Sequence, residues 1–215
     1  MLTLTKRLLA CYSSAIHDVM VAQGYNNFVL PRAIRPLLPA QRLSGPVYTV
    51  SGNRHDNIEG HDTYLAWTDL LGSVPSAYVL VCQPNDDELA YMGELSAEVL
   101  QLRGILGYVA DGGCRDVDMI QKSGFLVYCR YYTPTDIVGR WLPEKMGEPI
   151  RIGDVDLSTG DYLLADNDGI VILPGDNAEE LVVETERVIK SEDQVRDAIR
   201  AGMEPQTAYL KYRKF

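Results

Sequence analysis

An arginine and an aspartate, Arg115 and Asp116, stand shortly after an apolar segment of the chain. That segment, residues 105–110, reads ILGYVA, with Gly104 before it and Gly112 soon after, which predicts a buried parallel strand rather than a helix. Ligands of open α/β sheets bind at the carboxyl ends of strands, where glycine lets a ligand or a second backbone approach closely. The sequence therefore makes this turn the first candidate for a functional site.

The two side chains suit a metal-assisted site for an anion. A turn can direct adjacent side chains into one cleft, whereas a strand would send them to opposite faces. The Asp116 carboxylate offers a hard oxygen ligand for Mg²⁺ or Mn²⁺, and the Arg115 guanidinium can bind a substrate carboxylate or a developing enolate oxygen. The alternative is structural: Asp116 begins a helix and Arg115 is solvated.

A second candidate, Gly93-Glu94-Leu95-Ser96, opens a predicted helix after the polar loop QPNDDELAYM. The free backbone N–H groups of a helix start can receive a carboxylate, and Glu94 can accept hydrogen bonds from the water ligands of a metal. The alternative role of Glu94 is to stabilise the first helical turn. A site that joins both stretches is better supported than either stretch alone.

Other kinds of site have weaker support in the sequence. In NRHDNIEGHD, His55 and His61 lie six residues apart with Gly60 between them, which matches no helical two-histidine ligand set, and Asp62 is expected to cap or anchor a helix. No lysine lies in an apolar strand, so Schiff-base chemistry is disfavoured. The GxSxG, Walker and GxGxxG motifs do not occur, which removes the usual support for acyl transfer, nucleotide hydrolysis and dinucleotide binding.

The composition is that of one globular domain over residues 1–215, with 46% hydrophobic and 23% charged residues. A net charge of −10 without a Lys/Arg cluster argues against nucleic acid as a ligand, whereas an anionic small molecule needs only a local cation such as Arg115 or a metal. Four cysteines without CxxC spacing predict a reduced, cytoplasmic protein. No apolar run reaches the roughly 18 residues of a membrane span, so neither export nor insertion is expected.

The elements that must position these residues alternate between helix and strand. Helical spacing over residues 4–20 predicts one opening amphipathic helix. Strands are predicted at 47–50, 77–83, 105–110 and 125–129, with helices at 60–72, 93–104 and 117–122, and residues 150–176 read as short strands joined by tight turns. Asn177 is predicted to cap a charged helix running to about residue 200, with Glu180 completing a capping box. This order favours a mixed or parallel sheet with helices packed on it.

Three stretches, GELSAEVLQLRGILGYVADGGCRD, YTPTDIVGRW and GDYLLADNDGIVILPGD, resemble the RraA-like family. That family includes divalent-metal pyruvate aldolases acting on 4-hydroxy-4-methyl-2-oxoglutarate and 4-carboxy-4-hydroxy-2-oxoadipate, and regulators of ribonuclease E activity. The similarity runs over nearly the whole chain, from IHDVM to GMEPQTAYLKYRKF. It implies an α/β fold like the swivelling phosphohistidine (β/β/α) domain, with a mixed sheet flanked by helices, assembled as a homotrimer or homohexamer with sites near subunit interfaces.

The resemblance also implies roles for individual residues. Residues 93–96 match the loop whose backbone amides bind the pyruvate carboxylate, Arg115 matches the arginine that binds substrate and acts in catalysis, and Asp116 matches the metal-binding aspartate. The chain departs from the family pattern at one place. A later acid is expected three residues after the aspartate, where Met119 stands, and Asp118 lies one position early.

The function expected from these matches is divalent-metal-dependent cleavage of a 4-hydroxy-2-oxo dicarboxylic acid to pyruvate. Mg²⁺ or Mn²⁺ on Asp116 and the guanidinium of Arg115 would stabilise the enolate left by cleavage of the C–C bond. Glu94 is expected to orient the water that takes the hydroxyl proton, and the same arrangement would decarboxylate oxaloacetate. Two alternatives stay open: a non-catalytic regulator or binding protein on the same scaffold, and a related lyase or hydratase of another 2-oxo acid. Replacement of the displaced acid by Asp118, and an acid such as Glu192 lent by a neighbouring subunit, are further hypotheses.

Overall fold

The computed structural model describes residues 3–213 of the chain as a mixed α/β fold. Its helices are α1 (Leu4–Ala10), α2 (Ser13–Ala22), α3 (Gly60–Ser73), α4 (Glu94–Leu102), α5 (Val117–Ser123), α6 (Ala178–Arg200) and α7 (Pro205–Tyr212). Its strands are β1 (Arg35–Pro36), β2 (Leu43–Arg54), β3 (Val79–Gln83), β4 (Gly107–Ala110), β5 (Gly113–Cys114), β6 (Val127–Cys129), β7 (Tyr131–Tyr132), β8 (Trp141–Met146), β9 (Ile150–Ile152), β10 (Val155–Leu157), β11 (Tyr162–Ala165) and β12 (Ile170–Leu173). A 3₁₀ turn, Gly175–Asn177, leads into α6.

The main sheet is mixed and has the strand order β1-β6-β4-β3-β2-β11-β12, with β8 paired to the far end of β2. The four central strands β6, β4, β3 and β2 are parallel, and the flanking pairs are antiparallel. The expected α/β fold with a mixed sheet flanked by helices is confirmed. The predicted parallel strand before the glycine-rich turn is confirmed as β4, although its ladder begins at Gly107 rather than at residue 105.

Strand β2 is longer than the strand predicted at residues 47–50, and it makes the sheet curl. Its first residues pair with β11, its middle pairs with β3, and its end pairs with β8. The register of β2 with β8 shifts between Ser51 and Gly52, a bulge that bends the strand. A Cβ at Gly52 would lie 2.1 Å from the carbonyl oxygen of Leu142, so only glycine fits where the two strands cross this closely.

Side chains of the central strands alternate between two packed layers. On β3, Leu80 and Cys82 face the helices α3, α4 and α5, whereas Val79 and Val81 face the β9–β10 hairpin and β11. Burial of both faces explains why this strand is apolar throughout. A third apolar cluster joins α1, α2 and α6 to β11 and β12. The sheet therefore presents the carboxyl ends of β3 and β4 at one edge, next to the start of α4.

Two local expectations from the sequence are wrong. The predicted opening helix is two helices, because Cys11 and Tyr12 take extended backbone between α1 and α2. The break is stabilised by buried Asp166, whose carboxylate accepts hydrogen bonds from the Ser13 backbone N–H at 2.9 Å and the Ser13 hydroxyl at 2.7 Å. Asn177 does precede α6 as predicted, but its side chain makes no capping hydrogen bond, since Asn177 is itself the last residue of the 3₁₀ turn and its backbone is not extended.

The helices over residues 3–213 are all too short or too polar to cross a membrane. All four cysteines are buried and free of disulfide bonds.

Candidate functional site

Backbone hydrogen bonds bring the two predicted site stretches together. The loop before α4 runs beside the turn after β4: the Tyr91 N–H donates to the Gly113 carbonyl at 2.9 Å, and the Arg115 N–H donates to the Met92 carbonyl at 2.9 Å. A Cβ at Gly113 would lie 2.6 Å from the Leu89 carbonyl oxygen, so this close approach of two backbones requires glycine. The residues at the start of α4 therefore lie directly beside Arg115 and Asp116.

Asp116 links the two stretches through one carboxylate oxygen. Its Oδ2 accepts hydrogen bonds from the Glu94 backbone N–H at 3.2 Å and from Arg115 Nε at 3.3 Å. Its backbone is left-handed, with φ of 54°, an unusual conformation that aspartate tolerates better than most residues. Gly93 precedes the helix, and a Cβ there would lie 2.8 Å from Asp116 Oδ2. The second oxygen, Oδ1, has no protein partner among residues 3–213.

The Arg115 guanidinium contacts a second carboxylate that the sequence analysis did not single out. Its Nη1 donates to Asp136 Oδ2 at 3.1 Å, while its Nη2 makes no hydrogen bond to the described part of the chain. Asp136 lies within YTPTDIVGRW, a stretch noted for its resemblance but not for its chemistry. The only sequence signal for it is an acid in a polar loop after β6 and β7, at the same edge of the sheet as the predicted site.

A cavity of about 240 Å³ opens beside these groups. Arg115, Asp116 and Asp136 form its polar wall, and their side chains are 37%, 40% and 35% exposed, so a small molecule in solvent can reach them. Gly93, Leu95 and Ser96 line the cavity at the start of α4, and its apolar wall contains Tyr64, Trp67, Met92, Ile137 and Val138. Trp67 Nε1 donates to Ser96 Oγ at 2.9 Å, which leaves the Ser96 hydroxyl proton available to another acceptor. The cavity can thus bind an anion beside an apolar group.

Arg115 and Asp116 also line a second, shallower depression of about 300 Å³, together with Tyr132, Thr133 and Pro134. A larger cavity, of about 400 Å³, lies elsewhere, between α2 and α6. It contains neither Arg115 nor Asp116, and we assign the candidate site by its chemistry rather than by its size. In that larger cavity burial raises the pKa of Tyr12 to about 12, and a hydrogen bond to Glu192 acts in the same direction.

The remaining predicted residues lie around the site without forming part of either wall. The Glu94 side chain is half-buried and lines neither cavity, although its backbone N–H binds Asp116. Asp118 and Met119 are exposed on the first turn of α5 and also lie outside both cavities. His55 is paired with Glu144 at 2.7 Å and also lines neither cavity.

The groups next to the glycine-rich turn are held in neutral or paired forms. A hydrogen bond with Cys129, together with burial, raises the pKa of the Cys114 thiol far above its ordinary value, so this thiol is not a nucleophile at neutral pH. Burial raises the pKa of Asp111, and the nearby Arg130 guanidinium, 3.5 Å away, opposes that shift. Among the polar groups next to this turn, Arg115 and Asp116 are the ones that line the cavity.

The family model described as "RraA-like: Aldolase/RraA" matches residues 13–172. Protein DlpA of Legionella pneumophila is 26% identical over 200 residues, which cover 93% of this chain and 32% of that protein, so the chain spans about a third of the length of DlpA. A protein of Halalkalibacterium halodurans named "Putative 4-hydroxy-4-methyl-2-oxoglutarate aldolase" is 25% identical over 183 residues, which cover 85% of this chain and 83% of the relative.

The fold has a counterpart among solved structures. The crystal structure of Streptomyces coelicolor RraAS2, described as an unusual member of the RNase ES inhibitor RraA protein family, matches with a TM-score of 0.81. The match has 24% sequence identity and covers 90% of this chain and 96% of that one. Identity at this level supports the fold alone.

Proposed function

Because the chain belongs to the RraA-like family, we propose that it is a divalent-metal-dependent lyase that releases pyruvate from a 4-hydroxy-2-oxo dicarboxylic acid of the 4-hydroxy-4-methyl-2-oxoglutarate type. Decarboxylation of oxaloacetate is the proposed side activity. The observation that carries the proposal is the convergence of Arg115, Asp116 and the start of α4 on one solvent-accessible cavity. A guanidinium, a carboxylate with one open oxygen and helix N–H groups are the parts that enolate chemistry on a 2-oxo acid requires.

The residues present fit a hard divalent cation. Within residues 3–213, no group of three or more His, Cys, Asp or Glu side chains is arranged to hold a metal, so a bound cation would have fewer than three such protein ligands. Asp116 Oδ1, in contrast, is open, and Mg²⁺ commonly binds proteins through one or two carboxylates while keeping several waters. Mg²⁺ or Mn²⁺ bound there would supply a Lewis acid for the 2-oxo and carboxylate oxygens of the substrate.

The chain's own residues would bind and orient the 2-oxo acid. The N–H groups at the start of α4, at Leu95 and Ser96, have no partners within the helix and are placed to receive the substrate carboxylate. Arg115 Nη2 would donate to the 2-oxo oxygen, where negative charge develops as the C3–C4 bond breaks and its electron pair moves into the enolate.

Proton transfer completes the proposed reaction. The proton of the 4-hydroxyl group passes to a water that the Glu94 carboxylate would orient from beside the cavity, and the departing half becomes a carbonyl compound. The same water then returns the proton to C3 of the enolate, which gives pyruvate. Oxaloacetate gives the same enolate by loss of CO₂, so one set of interactions serves both reactions.

The test is pyruvate release from 4-hydroxy-4-methyl-2-oxoglutarate and from oxaloacetate with Mg²⁺ or Mn²⁺. We expect EDTA to abolish release, added Mn²⁺ to restore it, and Arg115→Ala to lower kcat/KM by about 100-fold or more. Asp116→Asn should keep the left-handed backbone and the Tm but lose Mn²⁺ binding in calorimetry, because the amide lacks the charge of the carboxylate. Activity that survives both substitutions, or that ignores chelation, contradicts the proposed mechanism. Wild-type protein that releases no pyruvate from either substrate would instead favour the non-catalytic alternative.

A further inference from the structure

We propose that Asp136 is a positioning residue that fixes the Arg115 guanidinium in the orientation that receives the substrate, an inference that rests on the function proposed above. Arg115 is held at two edges: Nε donates to Asp116 Oδ2 at 3.3 Å and Nη1 donates to Asp136 Oδ2 at 3.1 Å. Two acceptors on different nitrogens of a planar fork stop it from rotating about its long side chain. Nη2 is the nitrogen that remains for a ligand, since no described residue accepts from it.

Asp136 is itself fixed by its own loop. Its Oδ1 accepts a hydrogen bond from the Val138 backbone N–H at 3.2 Å, and Arg140 Nη1 lies 3.5 Å from the same oxygen. Arg140 also donates to the Asp136 backbone carbonyl at 3.0 Å. The Ala90 backbone forms a parallel bridge to Asp136 and another to Gly113, so the loop is tied to both site stretches. One carboxylate oxygen thus serves the loop while the other serves Arg115.

The negative charge of Asp136 argues that this residue positions Arg115 rather than attracts the substrate. A carboxylate 3.1 Å from the guanidinium partly cancels its charge and so weakens its attraction for a substrate anion. An acid at this position does not help to collect the substrate, and its benefit must lie in geometry. Correct orientation matters most in the transition state, where the enolate charge develops. Loss of Asp136 should therefore lower kcat more than it raises KM.

Asp136→Ala is the main variant, and we expect it to lower kcat for pyruvate release by about 10- to 100-fold with a KM within about threefold of wild type. Asp136→Asn should be intermediate, because Arg115 and Val138 donate to different carboxylate oxygens and the amide replaces one of these acceptors with an NH₂ donor. Asp69→Ala is the matched control: it removes an exposed acid of α3, the helix that lines the same cavity, and Asp69 makes no ion pair within the described chain. The control should keep wild-type kcat, and Tm measurements on all variants show whether they fold.

The decisive measurement is a double-mutant cycle with Arg115→Lys, which keeps the charge but lacks the fork. If Asp136 acts through Arg115, Asp136→Ala should change kcat by less than about twofold when Arg115→Lys is already present. Calorimetric binding of oxalate, a planar mimic of the pyruvate enolate, in the presence of Mn²⁺ gives a readout independent of turnover. Asp136→Ala should weaken oxalate binding by about tenfold in the wild-type background and leave Mn²⁺ binding without oxalate unchanged.

The outcomes separate the two proposals. Wild-type protein that neither releases pyruvate nor binds oxalate removes the proposed function and this inference with it. A wild type that does both, together with an Asp136→Ala variant of unchanged kcat and oxalate affinity, overturns the inference alone. The inference is also overturned if Asp136→Ala lowers kcat by the same factor in the wild-type and Arg115→Lys proteins, since Asp136 would then act without the arginine.

Discussion

At the scale of single residues, the site depends on how closely the start of α4 approaches Asp116. A Cβ on Gly93 would lie 2.8 Å from Asp116 Oδ2 and 3.2 Å from Arg115 Nε. These are polar groups at the centre of the proposed chemistry, and they have little room to shift without breaking the hydrogen bond to the Glu94 N–H. Gly93 is therefore a geometric requirement of the site rather than a feature of the helix.

The variant Gly93→Ala tests this requirement. We expect kcat/KM for pyruvate release to fall by about tenfold or more, because the added methyl group displaces Asp116 and Arg115 from their shared hydrogen bonds. Gly72→Ala is the matched control, since a Cβ there meets nothing within 4 Å and alanine favours its helix. The measurement is steady-state kinetics with Tm for both variants. Equal activity of the two would show that the contact at Gly93 does not matter.

The sequence was informative about the residues that interact locally and less so about those that meet through the fold. Arg115 and Asp116 could be singled out because they directly follow a predicted strand, and residues 93–96 because they open a predicted helix. Asp136 lies 21 residues beyond Arg115 in a loop, and Trp67 reaches Ser96 across 29 residues. Such pairs depend on where a loop or helix face comes to lie in three dimensions, and a periodic pattern carries no such information.

At the scale of elements, the hydrophobic periodicity predicts that a segment is helical better than it predicts where each helix begins and ends. Residues 4–20 keep helical spacing across the break between α1 and α2, because both helices turn apolar faces toward the same cluster with β11, β12 and α6. The break itself is set by Asp166, more than 150 residues away in sequence, which binds the first N–H of α2. The length of strand β2 is likewise underestimated from the sequence, since its pairing with β8 depends on a bulge rather than on an apolar run.

The ion pair between α1 and α6 makes a prediction about pH. The hydrogen bond from Arg7, at 2.9 Å from Nε and 2.8 Å from Nη2, lowers the pKa of Glu186 below its ordinary value. A carboxyl group with a lowered pKa in the folded state adds stability above its unfolded pKa of about 4.3, and that stability is lost as the pH falls through the lower folded value. Glu186→Gln should therefore lower Tm by about 1–3 °C at pH 7. The difference from wild type should disappear near pH 3 in thermal denaturation followed by circular dichroism.

A second glutamate on the same helix provides the control. Glu184 pairs with Arg187 within α6, so Glu184→Gln removes the same charge without separating two helices. Its effect on Tm should be smaller than that of Glu186→Gln at pH 7. A Glu186→Gln effect that is the same at pH 7 and at pH 3 would mean that packing, not the ion pair, joins α1 to α6.

At the scale of the whole molecule, the family model ends at residue 172 and the described chain continues through α6 and α7. Helix α6 packs its buried side chains, Leu181 and Val182 among them, against α1 and α2, so it completes the third apolar cluster at the β11–β12 end of the sheet. Around the proposed site, several large apolar side chains are exposed. Tyr64 is 58% exposed, Leu95 69% and Met119 50%.

Those exposed side chains lead to a prediction about assembly. We expect sedimentation to give a homotrimer or homohexamer, with three or six times the 24.0 kDa mass of one chain, because burial of this surface between subunits removes apolar area from water. Leu65→Asp, at a residue that is 56% exposed on α3, should shift the protein toward smaller species, whereas Val183→Asp, 51% exposed on α6, should not. A wild type that sediments as a single chain at micromolar concentration contradicts this expectation.

The overall charge leads to the last prediction, which concerns salt. The chain carries a net charge of −10, and oxaloacetate is a dianion at neutral pH, so the protein as a whole repels the substrate that Arg115 is proposed to bind. Raising ionic strength from about 10 to 150 mM shortens the Debye length from about 30 to about 8 Å, which screens distant acids more than a guanidinium in contact with the ligand. We expect kcat/KM for oxaloacetate to rise about two- to threefold over this range, measured at saturating Mg²⁺ so that metal binding does not change. A fall in kcat/KM would instead mean that the local field of Arg115 and the cation dominates the approach of the substrate, and that the acidic surface faces away from its path.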